Sequence, residues 1–224
     1  MPTGDNRIRM QETTRERLHT IATTYQHHVD ACHRYDHTER VVVNALRLAQ
    51  AYPDTDIELL ETAAWLHDIG RGTERKKSES HADASARLAQ KILTELAFSA
   101  QQITHICAAI VDHRFSLGRV PRNWEGRLLQ DADRLDALGA IGIARTFAEG
   151  GQRALYHTEM PFLTSHEREL DDSHYTIDHF FTKLLSLPAT MHTPEARNSA
   201  ERRIATMRDF LREFADEIGT ARTI

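Results

Sequence analysis

The sequence predicts an all-α protein, a compact multi-helix domain over residues 1–224 with its last helices, about 176–218, packed on it. Three observations predict this. Apolar residues recur at helical spacing along most of the chain, no run alternates as a strand does, and Pro, Gly and Asp punctuate the periodic runs. With 224 residues, 40% hydrophobic and 27% charged, the chain can bury a core without disulfides. Cys32 and Cys107 form no CxxC pair, so they suggest neither a disulfide framework nor a thiolate zinc site. No internal repeat is visible.

Taken in order, residues 13–33 read as a polar helix with a weak apolar stripe. Residues 37–51 read as a strong helix. Val41, Ala45 and Leu48 follow His37 at i+4, i+8 and i+11, so His37 faces inward from the first turn, and Asp36 is a plausible N-cap. Pro53 stops it. Asp56 caps a helix over 57–68 with Ile57, Leu60, Ala64 and His67 on one stripe, and Gly70 stands where a left-handed C-cap belongs. Residues 71–80 read as a charged loop. Helices follow at 81–96, 99–114 and, past Pro121 and Asn123, 124–138. The small apolar segment 139–144 comes next, then a polar stretch from Gly150 to about 173, the longest loop and a candidate lid. Two helices close the chain, 176–187 and 194–218, parted by Pro188 and Pro194.

Several functions are disfavoured by composition. Residues 1–20 carry charges of both signs and no apolar core of a signal peptide, and no stretch approaches the ~18 apolar residues of a membrane helix. A cytoplasmic location without membrane partners is the expectation. A formal charge of −5 argues against binding a nucleic-acid duplex. The notable count is 14 histidines, since neutral imidazole is a common metal ligand.

Four positions stand out: His37, the adjacent His67 and Asp68, and Asp133. Each lies in or beside an apolar stripe. Asp131, Asp133 and Asp136 fall in so apolar a segment that each needs a hydrogen bond, a counter-ion or a bound cation. Two imidazoles and two carboxylates without thiolate suit Mn²⁺, Fe²⁺, Co²⁺, Ni²⁺ or Zn²⁺ rather than Cu⁺. His67 and Asp68 are consecutive and do not share a helix face, so they reach one ion only at a helix end, where Gly70 puts them.

The run Ala63-Ala64-Trp65-Leu66-His67-Asp68-Ile69-Gly70 resembles the signature of the HD superfamily of metal-dependent phosphohydrolases, whose ligands come in the order H…HD…D. His37 in YDHTERV is similar to the family's first His, and Asp133 in DADRLDALG to its final Asp. His81 in ESHADASARLA and His113 in IVDHRFS resemble positions used in extended HD sites. The segments LQDADRLDALGAIGIARTFAEGG and TIDHFFTKLLSL resemble a bacterial stand-alone HD branch with members that look like nucleotide pyrophosphohydrolases. No HD-GYP extension follows His113.

The resemblance implies the HD-domain fold and hydrolysis at phosphorus, with a divalent ion, Mn²⁺ first and Mg²⁺ admitted, on His37, His67, Asp68 and Asp133. Its substrate is a nucleotide, a (deoxy)nucleoside triphosphate by the branch resemblance, with pyrophosphate leaving. Arg71, Arg75, Lys76 and Lys77 follow the motif and can meet phosphate, and His179 and Lys183, i and i+4 on one helix, are further contacts. His81 and His113 serve either the substrate or a second ion; one ion with both facing substrate is the favoured arrangement. A homodimer is admitted. Three alternatives stay open: a nucleotidase or phosphomonoesterase, a di-iron oxygenase completed by His81 and His113, and a non-catalytic nucleotide sensor. Trp65 reads as core.

Overall fold

The computed structural model describes residues 12–26, 35–74, 80–114, 120–159 and 168–219. Helix dominates them, and the only bridge of extended backbone among the described residues is an isolated parallel pair, Ala154 with Tyr175. The all-α expectation is borne out. No helix among the described residues is long and apolar enough to cross a membrane. The chain divides into two compact units, Met1–Asp133 and Arg134–Ile224.

The first unit contains α1 (Glu12–Gln26), α2 (Tyr35–Ala49), α3 (Ile57–Leu66), the single turn α4 (Arg71–Glu74), α5 (His81–Glu95), α6 (Ala100–Asp112) and most of α7 (Trp124–Asp136). In α2 the stripe read from the sequence is buried: His37, Val41, Ala45 and Leu48 all face the core. Asp36 does not cap this helix. It sits in the first turn and pairs with Arg40 at 2.7 Å. Asp56 does cap α3, accepting from the Leu59 N–H at 3.0 Å. Every residue from Leu59 to Leu66 is buried, so α3 has no solvent face and is the central helix of the unit.

Helix α3 ends at Leu66, and the turn His67–Gly70 follows. Gly70 is not a left-handed cap, for its φ is not positive. It is required by a close approach instead. A Cβ there would lie 2.4 Å from the Ser85 nitrogen and 2.7 Å from the His81 carbonyl oxygen, so only glycine lets α5 pack on the turn. The charged stretch expected as loop begins with α4, and residues 75–79 lie outside the described residues.

Helices α5 and α6 start from serine caps. Ser80 accepts from the Asp83 N–H, and Ser99 with Gln102 forms a reciprocal capping box. Helix α7 lies along α6 in a definite register. Asn123 donates to the His105 carbonyl at 2.9 Å, a Cβ on Gly126 would touch Ala109 Cα at 3.3 Å, and Gln130 donates to the Asp112 carbonyl at 2.9 Å. Gly126, Gln130 and Asp133 fall on one face of α7, in line with Asn123 just before it, so this register carries Asp133 along the line that runs towards His113.

In the second unit, the small apolar segment at 139–144 is the start of α8 (Gly139–Gly150). The expected helix over 176–187 is interrupted. It forms α9 (Asp178–Thr182), breaks at Lys183 with φ −139°, and continues as a 3-10 segment, Leu184–Thr190, with Pro188 inside it rather than after it. Pro194 opens α10 (Pro194–Glu217) at a position where its missing N–H costs nothing. Phe147, Phe180 and Phe210 meet at centroid distances of 5.8 to 6.2 Å and knit α8, α9 and α10. Arg168 holds the buried Asp178 carboxylate with two bonds of 2.6 and 2.7 Å, anchoring the described end of the long polar stretch. Residues 160–167, the middle of that candidate lid, lie outside the described residues.

Candidate metal centre

Four histidines and a second aspartate, from five elements of the first unit, gather around one carboxylate, that of Asp68. Oδ2 of Asp68 stands 3.7 Å from His37 Nε2 and 3.7 Å from His67 Nε2. Oδ1 stands 3.7 Å from His81 Nε2 and 3.6 Å from His113 Nε2. Asp133 closes one side, with Oδ1 3.4 Å from His37 Nε2. The imidazoles form a chain of ring contacts, His37 to His67 at 5.4 Å, His67 to His113 at 5.1 Å and His113 to His81 at 5.5 Å. Helix α2 supplies His37, the turn after α3 supplies His67 and Asp68, and α5 supplies His81 from its first residue. His113 is the C-cap of α6, and Asp133 lies on α7.

His67 and His113 are prepared in the same way. Each follows the last turn of a helix, where backbone carbonyls lack helical partners. The His67 ring meets the Ala64 carbonyl through Nδ1 at 2.8 Å, and the His113 ring meets the Ile110 carbonyl through Nδ1 at 2.6 Å. A carbonyl only accepts, so Nδ1 carries the proton in both rings. In neutral rings that leaves the Nε2 lone pairs directed at Asp68, the tautomer in which a metal-binding histidine is held by its outer partner.

The charges follow from burial and crowding. Burial pushes the His67 pKa down, to about 4, against the pull of Asp68, so this ring is neutral across the physiological range. His113 goes the other way. Burial lowers it, but the Asp68 and Asp133 carboxylates outweigh burial and raise it. Burial would raise Asp68, yet Arg71 and the surrounding imidazoles hold it well below the usual carboxylate range. Asp133 is likewise held low, with His37 its main partner against burial.

These residues fit a divalent cation. His67 Nε2 is buried and has no hydrogen-bond partner among the described residues, and a lone pair in that position is costly unless it is bound. The 3.4 to 3.7 Å separations between nitrogen and carboxylate oxygen exceed ordinary hydrogen-bond lengths. Two overlapping donor sets, His37 with His67 and Asp133, and His67 with Asp68 and His113, have ligand atoms within 4.8 Å of one another. Neutral nitrogen and anionic oxygen donors suit first-row divalent ions.

The other expected site residues fare differently. Arg71 touches the cluster, donating from Nε to Asp68 Oδ2. Lys76 and Lys77, with Arg75, lie outside the described residues. His179 and Lys183 belong to the second unit. His179 pairs with Asp172 at 2.9 Å, and because α9 ends at Thr182 the two do not share the helix face that their spacing suggested. Asp131, buried beside Asp133, and Asp136, paired with Arg145 at 2.7 Å, have structural partners of their own. Trp65 is core, 5% exposed, stacked on Tyr35. Two buried residues next to the ligands escaped the sequence reading, Ser85 and Gln130. Their only signal is spacing, four residues after His81 and three before Asp133.

Comparison with known proteins gives a consistent picture. The family model described as HD domain matches residues 34–138, which contain all six converging residues. YpgQ of Bacillus subtilis (strain 168), described as uncharacterized, is 32% identical over 196 residues, covering 83% of this chain and 84% of its own. The crystal structure of B. subtilis YpgQ in complex with ADP superposes with a TM-score of 0.71 at 27% identity, covering 92% of this chain and 96% of YpgQ. An HD-superfamily hydrolase from Bacillus thuringiensis reaches a TM-score of 0.71 at 31% identity, covering 93% and 98%.

Proposed function

The chain belongs to the HD superfamily of metal-dependent phosphohydrolases, and from that premise we propose that it hydrolyses nucleotides, with (deoxy)nucleoside triphosphates as substrates and pyrophosphate as the leaving product. The observation that carries the reading is the buried Asp68 carboxylate ringed by imidazoles, two of them tautomerically fixed to present Nε2. The binding of ADP by YpgQ supports a nucleotide as the ligand class.

His37, His67, Asp68 and Asp133 would hold one divalent ion, with Mn²⁺ the expected metal. When bound, such an ion lowers the pKa of a coordinated water and offsets phosphoryl charge. The chain's own residues do the rest. Asp68 and Asp133, held ionised, keep the pocket anionic and fix the cation. Arg71, anchored to Asp68, reaches the rim with 22% of its side chain exposed, and its guanidinium can meet a phosphate oxygen with a planar fork. His81 and His113 face the substrate from the far side of Asp68. Lys76, Lys77, His179 and Lys183 are assigned to outer phosphate contacts on sequence grounds alone.

A second reading has one observation in its favour. Oδ1 of Asp68 faces His81 and His113 while Oδ2 faces His37 and His67, a two-sided arrangement that supports a reading with two ions. Metal analysis of the purified protein, followed by product chromatography over a nucleotide panel with Mn²⁺ supplied, tests both readings. One metal per chain with pyrophosphate released from triphosphates is expected. Turnover of phosphomonoesters alone would make the protein a nucleotidase, and two irons with oxygen consumption would make it an oxygenase.

A further inference from the structure

Where α6 ends, the carbonyls of Asp112 and His113 lie past the helix's own hydrogen-bond ladder, on residues that are themselves buried. Gln130, with none of its surface exposed, supplies the donor: its Nε2 lies 2.9 Å from the Asp112 carbonyl oxygen and 3.4 Å from that of His113. Gln130 and Asp133 are i and i+3 on α7. The face that presents Asp133 thus also grips the backbone that carries His113.

We infer that Gln130 is a positioning residue, whose carboxamide fixes the main chain at His113 and so places that imidazole beside Asp68. The inference rests on the proposed role of His113 in the site. The ring has two anchors of its own, the Ile110 carbonyl on Nδ1 and the Asp68 carboxylate facing Nε2, but both act beyond Cα. Nothing in the side chain fixes where Cα stands. The C-cap of a helix is its least constrained end, and a shift of a few tenths of an ångström there moves Nε2 by as much or more. Gln130 removes that freedom because α7 is itself registered on α6 by Asn123 and by the contact of Gly126 with Ala109. Its two amide hydrogens match the two carbonyls. Glutamate has the same shape and the opposite effect, placing carboxylate oxygens against carbonyl oxygens. Methionine keeps the volume and takes the amide donor away from both carbonyls.

The test is a double-mutant cycle on the full chain, comparing the parent protein, Gln130→Met, His113→Ala and the double variant. The readouts are Mn²⁺ affinity by calorimetry, Mn²⁺-supported turnover, and ring-nitrogen spectra of the metal-free proteins by long-range ¹H–¹⁵N correlation. We expect Gln130→Met to lower affinity or kcat about tenfold, at the low end for loss of an outer partner of a metal-site histidine. It should shift the His113 ring signals, spare those of His67, and add nothing in the His113→Ala background. Full additivity with His113→Ala would overturn the inference, as would parent-like affinity and turnover, or a shift shared equally by the His67 ring. If His113→Ala itself behaves as the parent, the premise about His113 fails and the inference falls with it, a result told apart by that single variant. Should Gln130→Met not fold, Gln130→Glu is read against the same outcomes, with a loss at least as large.

Discussion

The backbone N–H of Gly70 donates to the hydroxyl of Ser85 at 2.9 Å, and the two main chains approach so closely there that a methyl group has no room. Gly70 ends the turn that bears His67 and Asp68, and Ser85 lies one turn after His81 on α5. This contact therefore sets the separation between the two sides of the candidate centre. Gly70→Ala forces a Cβ against backbone atoms, which cannot rotate aside. It should cost on the order of 1–3 kcal/mol, the usual penalty for overpacking, and lower the thermal midpoint. A melting curve indistinguishable from the parent would contradict this account of the turn. Ser85→Ala leaves the space unchanged and removes one buried acceptor, so it should cost less, about 1 kcal/mol.

A second prediction concerns the base of α3. Arg15 on α1 holds Glu61 with two bonds of 2.6 and 2.8 Å, and the environments of the partners differ. Glu61 is 1% exposed, whereas a third of the Arg15 side chain meets solvent. Removing the arginine leaves a buried carboxylate without its cation, while removing the charge of the glutamate leaves an arginine that water can still reach. Arg15→Ala should therefore destabilise more than Glu61→Gln, by about 1–2 kcal/mol in chemical denaturation. The reverse order would show that Glu61 is solvated by some other route.

The parts of this architecture that depend on local periodicity were legible in the sequence. The inward stripe of α2, the Asp56 cap and the approximate spans of α5, α6, α7 and α10 follow from apolar spacing and capping residues, which act within a few positions of chain. The candidate ligands were legible through the motif, because His67-Asp68 at a helix end has few structural uses. What escaped is tertiary. Gly70 reads as a left-handed cap because glycine after a helix usually is one, and only the approach of α5 reveals its use. Gln130 is an ordinary polar residue until α6 is set beside it. The break at Lys183 and the 3-10 turn through Pro188 reflect packing within the second unit, which overrides a helical pattern that runs on in the sequence.

The free thiol of Cys107 offers a test of burial independent of the centre. It is half-buried on α6 and donates to the Ala86 carbonyl at 3.4 Å, and burial raises its pKa. The thiolate is the nucleophile, so a raised pKa means slower alkylation at pH 8 than for an exposed thiol, whose pKa is about 8.5. The sign for stability follows. The folded state holds this proton more tightly than the unfolded state, so the contribution is present below the unfolded thiol's pKa and is lost as pH rises through the folded value. Mass spectrometry of the Cys107 peptide after timed iodoacetamide labelling should show a rate that climbs with pH beyond the ordinary thiol range. Labelling at the rate of a free model thiol at pH 8 would mean that the α5–α6 contact opens readily.

The sharpest prediction concerns the cluster itself. If His67 and Asp68 bind the ion, then His67→Ala and Asp68→Asn remove metal while leaving the helices in place, because neither side chain lies within a regular helix and α3 is capped and buried independently of them. Both should lose far more affinity than the roughly 10–100-fold typical of outer partners, with activity lost in parallel. Their effects on stability should differ. Asp68 is a buried carboxylate that Arg71, His67 and His113 hold well below the usual carboxylate range, so the folded state favours its charge and Asp68→Asn forfeits that contribution. His67→Ala instead opens a cavity and frees the Ala64 carbonyl at the end of α3. In the metal-free state both variants should therefore be less stable than the parent, by about 1–3 kcal/mol, and the deficit of Asp68→Asn alone should fade as pH falls below the ordinary carboxylate range, where the parent loses the same contribution. Circular dichroism with metal analysis reads occupancy and fold together, and denaturation in the presence of chelator reads the difference. Full metal content in either variant would place the ion elsewhere, and parent-like stability of metal-free Asp68→Asn would mean that its surroundings do not favour the Asp68 charge.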